Sequence, residues 1–203
     1  MNLSTHIEYD VRIGKRKIKL VGIEHGRNIH TLVDPETGDA IKRICLANPM
    51  AEIHAEANAP AFLPRELLNT QTVHSLEKTP ASLGKLANRD EMVDTAFQFH
   101  RELSEMDGQN SITQAANSLK YRRELQEVID ELFGHKPEVK QIKKAASYAV
   151  VYRSLQMAEK LIASKHQNII AITGAIHSPL IKKFLENAKL RQRYHRLWNK
   201  QLA

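Results

Sequence analysis

Cysteine is almost missing: Cys45 stands alone among 203 residues. One thiol cannot close an internal disulfide, which excludes a disulfide-stapled scaffold and fits a reducing compartment. Long apolar runs are missing too. The longest, such as Ile169 to Ile176, are strand-sized and fall short of the roughly 20 residues a bilayer-crossing helix needs. Met1 to Asp10 is polar and lacks the apolar centre of a secretory signal, so a cytoplasmic location is expected. Aromatic residues make up only 5 %, a poor supply for a wide apolar haem mouth. Repeats and low-complexity segments are absent. What is present is 42 % hydrophobic residues, enough for one sizeable core and unlike a disordered chain.

The formal net charge is +7. The basic residues gather at 12–19 (Arg12, Lys15, Arg16, Lys17, Lys19) and at 182–200 (Lys182, Lys183, Lys189, Arg191, Arg193, Arg196, Lys200). Such clusters suit a polyanion, but neither sits in a recognisable nucleic-acid motif, and charge runs are commonly solvated faces.

Hydrophobic patterning gives the architecture. Thr5 to Ile13 alternates with Ile7, Tyr9, Val11 and Ile13 on one face, Gly14-Lys15 signals a turn, and Lys17 to Ile23 resumes the alternation. This predicts an N-terminal hairpin whose second strand runs into Gly22-Ile23-Glu24-His25-Gly26. Asp34 to Leu46 reads either as a helix capped by Asp34 with Pro35 at its first position or as a hairpin turned at Pro35–Gly38; the helix is favoured. Met50 to Ala57 reads as a strand, with Glu52, His54 and Glu56 interleaved among apolar residues. Residues 65–165 are mainly helical in pattern, with amphipathic stretches at Glu91–Met106, Ile112–Phe133 and Val139–Ala163. Asn168 to Thr173 is a buried strand entering Gly174-Ala175-Ile176-His177, and Ser178-Pro179 then starts a helix with serine as its cap. An arginine-rich helix over Leu190–Leu202 ends the chain. The expectation is a single mixed α/β domain over 1–203: a central sheet with an N-terminal hairpin, covering helices, and a helical insertion or cap at 65–165.

Two strands thus end in the same pattern, Gly-x-x-His, and a third ends at Glu56. The carboxyl ends of parallel strands face one crevice. If these strands are parallel neighbours, His25, His177 and Glu56 converge, and two neutral imidazoles with a carboxylate form a ligand set for divalent Zn, Mn, Co or Fe. A glycine three residues before each histidine lets the backbone turn sharply and approach a ligand closely. The competing reading is two loop histidines without a shared ligand. Cys45 could be a nucleophile, but free cysteine more commonly serves as a small buried hydrophobe. His54 reads as an orienter of Glu56 or as a polar residue on one strand face, and the second is favoured. His30, His74, His100, His135, His166 and His195 show no partner spacing and read as surface or structural residues.

Three stretches resemble the TIKI and TraB group within the erythromycin esterase and ChaN-like set: Lys19 to Gly26, Ala51 to Ala57, and Tyr152 to Ile162 followed by Ile169 to His177. The most specific is the last, where Arg153, then Met157-Ala158, then a strand ending in Gly-x-x-His follow the family pattern. About half of the chain is covered, and residues 65–140 carry no match. The resemblance implies a mixed α/β core with an inserted helical region. It implies His25 and His177 as metal ligands or catalytic bases, Glu56 as the strand-end acid, and Arg153 as a binder of an oxyanion or substrate carboxylate. The chain departs from the pattern at Glu24, where many members have a small polar residue, and at Ser178-Pro179, where the family continues with an apolar residue. Glu24 is either a general base toward a metal-bound water or a solvated loop carboxylate.

The leading expectation is a metal-dependent hydrolase of peptide or ester bonds, with Glu24, Glu56 and Arg153 in catalysis. The alternatives are a metal-, haem- or anion-binding protein on the same scaffold, and a nucleic-acid or regulatory interaction protein using Arg191, Arg193, Tyr194, Arg196 and Trp198. Association into a homodimer is left open.

Overall fold

A computed structural model describes residues 6–23, 35–56, 63, 67, 69, 72–76, 151–175 and 177–202, with only the backbone of Trp198, Lys200, Gln201 and Leu202. Strands β1 (His6–Ile13) and β2 (Arg16–Ile23) pair antiparallel, with Val11 opposite Ile18 and His6 opposite Ile23. The turn between them places Gly14 at φ 59°, a left-handed conformation that costs glycine nothing sterically. β3 (Glu52–Ala55), β4 (Val73–Ser75) and β5 (Asn168–Gly174) complete a five-stranded sheet in the order β1-β2-β5-β3-β4, parallel from β2 onward. The fold is therefore mixed α/β, as the patterning predicts, and the two strands carrying Gly22 and Gly174 are neighbours.

Both faces of the sheet are covered. β1 shows simple alternation, with Val11 buried between exposed Asp10 and Arg12. At the end of β2, Leu20, Val21 and Ile23 are all buried. Leu20 joins Ile18, Ile169 and Ala171 on one face; Val21 and Ile23 join Ile53, Ile170 and Ile172 on the other. Helix α1 (Pro35–Leu46) covers the second face through Ile41 and Cys45, spaced i and i+4 on one helical stripe. Pro35–Gly38 thus lies in a helix rather than a hairpin turn. Helices α2 (Arg153–Ala163) and α3 (Ser178–Glu186) cover the first face through Leu155, Met157, Ala158, Leu161, Ile181 and Phe184. Helix α4 (Ala188–Leu202) follows after Asn187, whose Oδ1 accepts the Leu190 N–H.

One arginine explains part of the basic cluster at 12–19. Arg16 reaches from the start of β2 to the end of α2, where the last carbonyls of a helix lack intrahelical donors. Its guanidinium donates to the carbonyls of Leu161, Ile162, Ser164 and His166. Lys19 pairs with Glu8 and Asp10 at 3.1 and 3.0 Å. Two of the five cations in that cluster therefore have partners within the protein.

β4 falls inside the stretch expected to be helical. Its three residues extend the sheet beside β3, and the Leu76 N–H donates to the Ala55 carbonyl at 2.7 Å. The predicted helices at 91–106, 112–133 and 139–150, and the capping residue Asp34, lie outside the described residues. Among the described residues no helix is long and apolar enough to cross a membrane.

Candidate functional site

β5 lies between β2 and β3, so residues at the carboxyl ends of these strands meet beyond the sheet. Glu56 follows β3 and stays attached to the sheet by its N–H, which donates to the Ile172 carbonyl at 3.0 Å. Its side chain is buried, and both oxygens have partners. The Gly174 N–H at the end of β5 donates to Oε2 at 2.8 Å, and Arg153 Nη2 donates to Oε1 at 2.5 Å. Arg153 is the first residue of α2 and keeps 23 % of its side chain exposed. The Glu56 carboxylate therefore faces the guanidinium of a partly exposed side chain.

His177 completes the group. The chain leaves β5 at Gly174 and turns tightly, with the His177 N–H donating to the Gly174 carbonyl at 2.9 Å. The turn delivers His177 to the amino end of α3, where its Nε2 lies 3.7 Å from Glu56 Oε1. Its Nδ1 is 2.9 Å from the Ser154 hydroxyl, which is fully buried. A hydrogen bond at one ring nitrogen fixes the imidazole plane and directs the other nitrogen at its target. Ser154 was not among the residues singled out from sequence. The only signal was its place directly after Arg153.

Sequence reasoning cast Ser178 as the cap of the following helix; the structure gives it another task. His177 occupies the capping position, and Ser178 Oγ bonds Thr173 Oγ1 at 3.0 Å. That bond clamps the two ends of the turn. Gly22 shows a similar difference. It lies within β2 rather than at a turn, and close packing is what demands glycine there. A Cβ on Gly22 would stand 2.4 Å from Ser178 Oγ and 3.0 Å from Ala175 Cα. The glycine of the first Gly-x-x-His motif thus seats the backbone of the second.

Glu56, Arg153 and His177 are thus brought together. Glu24 and His25 lie outside the described residues; they follow Ile23, whose register partner is Gly174. Of the expected ligand set only Glu56 and His177 are described. Both Glu56 oxygens carry hydrogen bonds, and the Arg153 charge opposes a cation at Oε1. Among the described residues no group of three or more His, Cys, Asp or Glu could hold a metal ion. The described pair does not by itself fit a divalent ion.

His54 does not orient Glu56. Its Nε2 lies 2.7 Å from Glu52 Oε2, and burial pushes its imidazole below the usual range against the opposing pull of that carboxylate. In α4, Arg191 donates to the carbonyls of Phe184 and Leu185, and Tyr194 packs edge-on against Phe184. Two residues considered for nucleic-acid contact are thus engaged with the protein, while Arg193 and Arg196 are exposed. The side chain of Trp198 lies outside the described set.

Cys45 packs as a buried hydrophobe in the α1 face. Burial pushes its thiol up to about 11. Against the ordinary thiol value of 9.0, the thiolate population at pH 8 is lower by about 100-fold in the fold. A disulfide reagent is expected to label Cys45 at least that much more slowly in native protein than in urea. Because the raised value favours the neutral thiol, this contribution to stability is complete below the unfolded value and declines as pH rises toward 11. Equal labelling rates in the two states would show that Cys45 is not buried.

No family model, curated protein or solved structure matches the chain.

Proposed function

We propose that this chain hydrolyses a peptide or ester bond at the site formed by Glu56, Arg153 and His177. The observation that carries this reading is a buried imidazole oriented by Ser154, with Nε2 3.7 Å from a carboxylate that also holds the guanidinium of a partly exposed arginine. The resemblance to the TIKI and TraB group supports the same reading through Arg153, Glu56 and the second Gly-x-x-His motif.

The roles follow from the contacts. His177 Nε2 takes a proton from the attacking water as general base, Glu56 stabilises the imidazolium that results, and the imidazolium returns that proton to the leaving amine or alkoxide as the C–N or C–O bond breaks. Arg153 reaches the substrate side and stabilises negative charge on the carbonyl oxygen as it develops. Gly174 N–H fixes the other oxygen of Glu56, so the carboxylate does not swing with the arginine. Ser154 acts through His177 as a positioning residue.

The test is turnover of p-nitrophenyl esters and a fluorogenic peptide panel by the full chain, before and after chelation. His177→Ala is expected to lower kcat/KM by about 100-fold or more, the usual worth of a positioned general base. Ser154→Ala is expected to lower kcat more than it raises KM and to broaden the pH profile, since His177 loses its fixed orientation. Activity that survives His177→Ala sinks the assignment. Activity that vanishes on chelation and returns with Mn, Co or Zn moves the chemistry to a metal-assisted site that includes His25.

A further inference from the structure

The basic cluster at 12–19 leaves cations that the fold itself does not use. Helix α1 covers the second face of the sheet over Val21, Ile23 and Ile172 and ends at Leu46. Toward the amino ends of β2 and β5 that face stays open, at the opposite end of these strands from Glu56 and His177. What remains is a cleft of about 390 Å³, floored by β1, β2 and β5 and walled by residues 48–51, which lead into β3. Its volume falls within the range of about 300–1,000 Å³ usual for small-molecule sites.

The register sets the floor in rows. Arg12 lies opposite Lys17, and Lys17 is the partner of Asn168 on β5. Paired residues share a face, so two cations and an amide stand side by side across three strands, about 10 Å from first to last at the usual strand spacing. The next row sets Asp10 opposite Lys19, with 3.0 Å between their charged groups. The two rows differ in kind. Asp10 and Lys19 are a complementary cross-strand pair, which stabilises a sheet; Arg12 and Lys17 put like charges directly opposite, which opposes it. Glu8 and Asp10 both pair with Lys19, whereas the side chains of Arg12, Lys17 and Asn168 make no ion pair or hydrogen bond among the described residues. Across the cleft, Pro49 and Ala51 flank Met50, whose polarizable side chain is 86 % exposed.

We propose that this cleft binds a small phosphomonoester carrying an apolar or aromatic body. A phosphate of this kind bears about −1.5 to −2 charges at pH 7, which matches two cations that have no counter-charge. Arg12 offers a planar fork, Lys17 a point charge, and Asn168 an amide donor for a further oxygen. A carboxylate, with a single charge, would leave one of the two cations uncompensated. The body of the ligand lies across the cleft against Pro49, Met50 and Ala51. A nucleic-acid strand fits less well, because Glu8 and Asp10 continue the same face of β1 with exposed carboxylates where its next phosphates would fall.

The test is calorimetric titration of the full chain with naphthyl phosphate, beside inorganic phosphate, naphthol and naphthoate. Naphthyl phosphate is expected to bind at least about 10-fold tighter than each of the others, since only it engages both walls. Lys17→Glu is the decisive variant. It turns the like-charged row into a complementary one, so the urea midpoint should hold or rise while naphthyl phosphate affinity falls at least about 100-fold. Arg12→Gln should weaken binding about 10-fold, the worth of one charged hydrogen bond. Met50→Ser should weaken naphthyl phosphate and leave inorganic phosphate unchanged. No detectable binding of naphthyl phosphate to wild type overturns the proposal. So does wild-type affinity in Lys17→Glu, which would place the anion elsewhere, or equal affinity for inorganic phosphate, which would make the cleft a non-selective anion contact. Displacement of the probe by a short DNA duplex, with a steep salt dependence, would assign the row to nucleic acid instead.

Discussion

Replacing Gly22 with alanine is expected to destabilise the fold by about 3 kcal/mol, the upper part of the range for forcing a methyl group into a packed site. The added Cβ would meet Ser178 Oγ at 2.4 Å, Ile7 Cγ2 at 2.6 Å and Ala175 Cα at 3.0 Å. Ile7 yields only by a rotamer change or a shift of edge strand β1, because Cγ2 sits on its stiff, branched Cβ. The other two contacts cannot yield as cheaply. Ser178 Oγ is clamped to Thr173, and Ala175 offers backbone whose N–H donates to the Ile23 carbonyl at 2.8 Å. The strain must therefore move the 175–178 turn, which carries His177. Gly22→Ala is thus expected to lower both the urea midpoint and hydrolysis, although residue 22 touches no substrate. Gly14→Ala is the control. No atom lies within 4 Å of a Cβ there, and the φ of 59° leaves only a local backbone cost of about 1–2 kcal/mol. It should leave the activity of the folded fraction intact. A Gly22→Ala protein within about 0.5 kcal/mol of wild type would mean that the second motif does not rest on the first strand.

That dependence shows what was legible in the sequence and what was not. The hairpin was readable because Tyr9, Val11 and Ile13 alternate with charged residues and Gly14 marks the turn. β5 was readable because Ile169, Ile170 and Ile172 form a β-branched run that only a strand covered on both faces would bury. The convergence of Glu56 and His177 was legible as a consequence of parallel neighbours, and the register supplies that condition. Spacing alone marks Gly22 as a turn glycine, because sequence does not show what packs against a Cα. β4 was missed because Val73, His74 and Ser75 are too few to show any period. His74 and His166 show no partner spacing for a related reason: each meets Glu52 through strand pairing or a loop anchored by Arg16, over separations that no local pattern encodes. Ser178 resembled a helix cap because serine before proline is the common form of one, yet tertiary contact with Thr173 decided its hydrogen bond.

Arg153→Met should bring the second large loss, about 3 kcal/mol of stability together with at least a 100-fold fall in hydrolysis. The stability term comes from Glu56, whose side chain is only 10 % exposed and whose Oε1 accepts from the guanidinium at 2.5 Å. Methionine matches much of the arginine stem but takes the guanidinium away from a buried carboxylate. Arg153 itself is 23 % exposed, so water replaces part of the lost interaction and the cost stays at the low end for a broken buried pair. Glu56→Gln in the same chain removes the buried charge while an amide oxygen can still accept the Gly174 N–H. The double variant is therefore expected to be more stable than Arg153→Met alone, a coupling that urea denaturation of the four chains measures directly. Activity should not return with stability, because neither the positive charge nor the carboxylate is restored. Arg153→Lys separates the two effects further: it keeps the charge beside Glu56 but loses the planar fork, so it should recover more stability than turnover. If Arg153→Met and the double variant prove equally stable, Glu56 does not depend on the guanidinium. If the double variant recovers full activity, the proposed roles of both residues fall together.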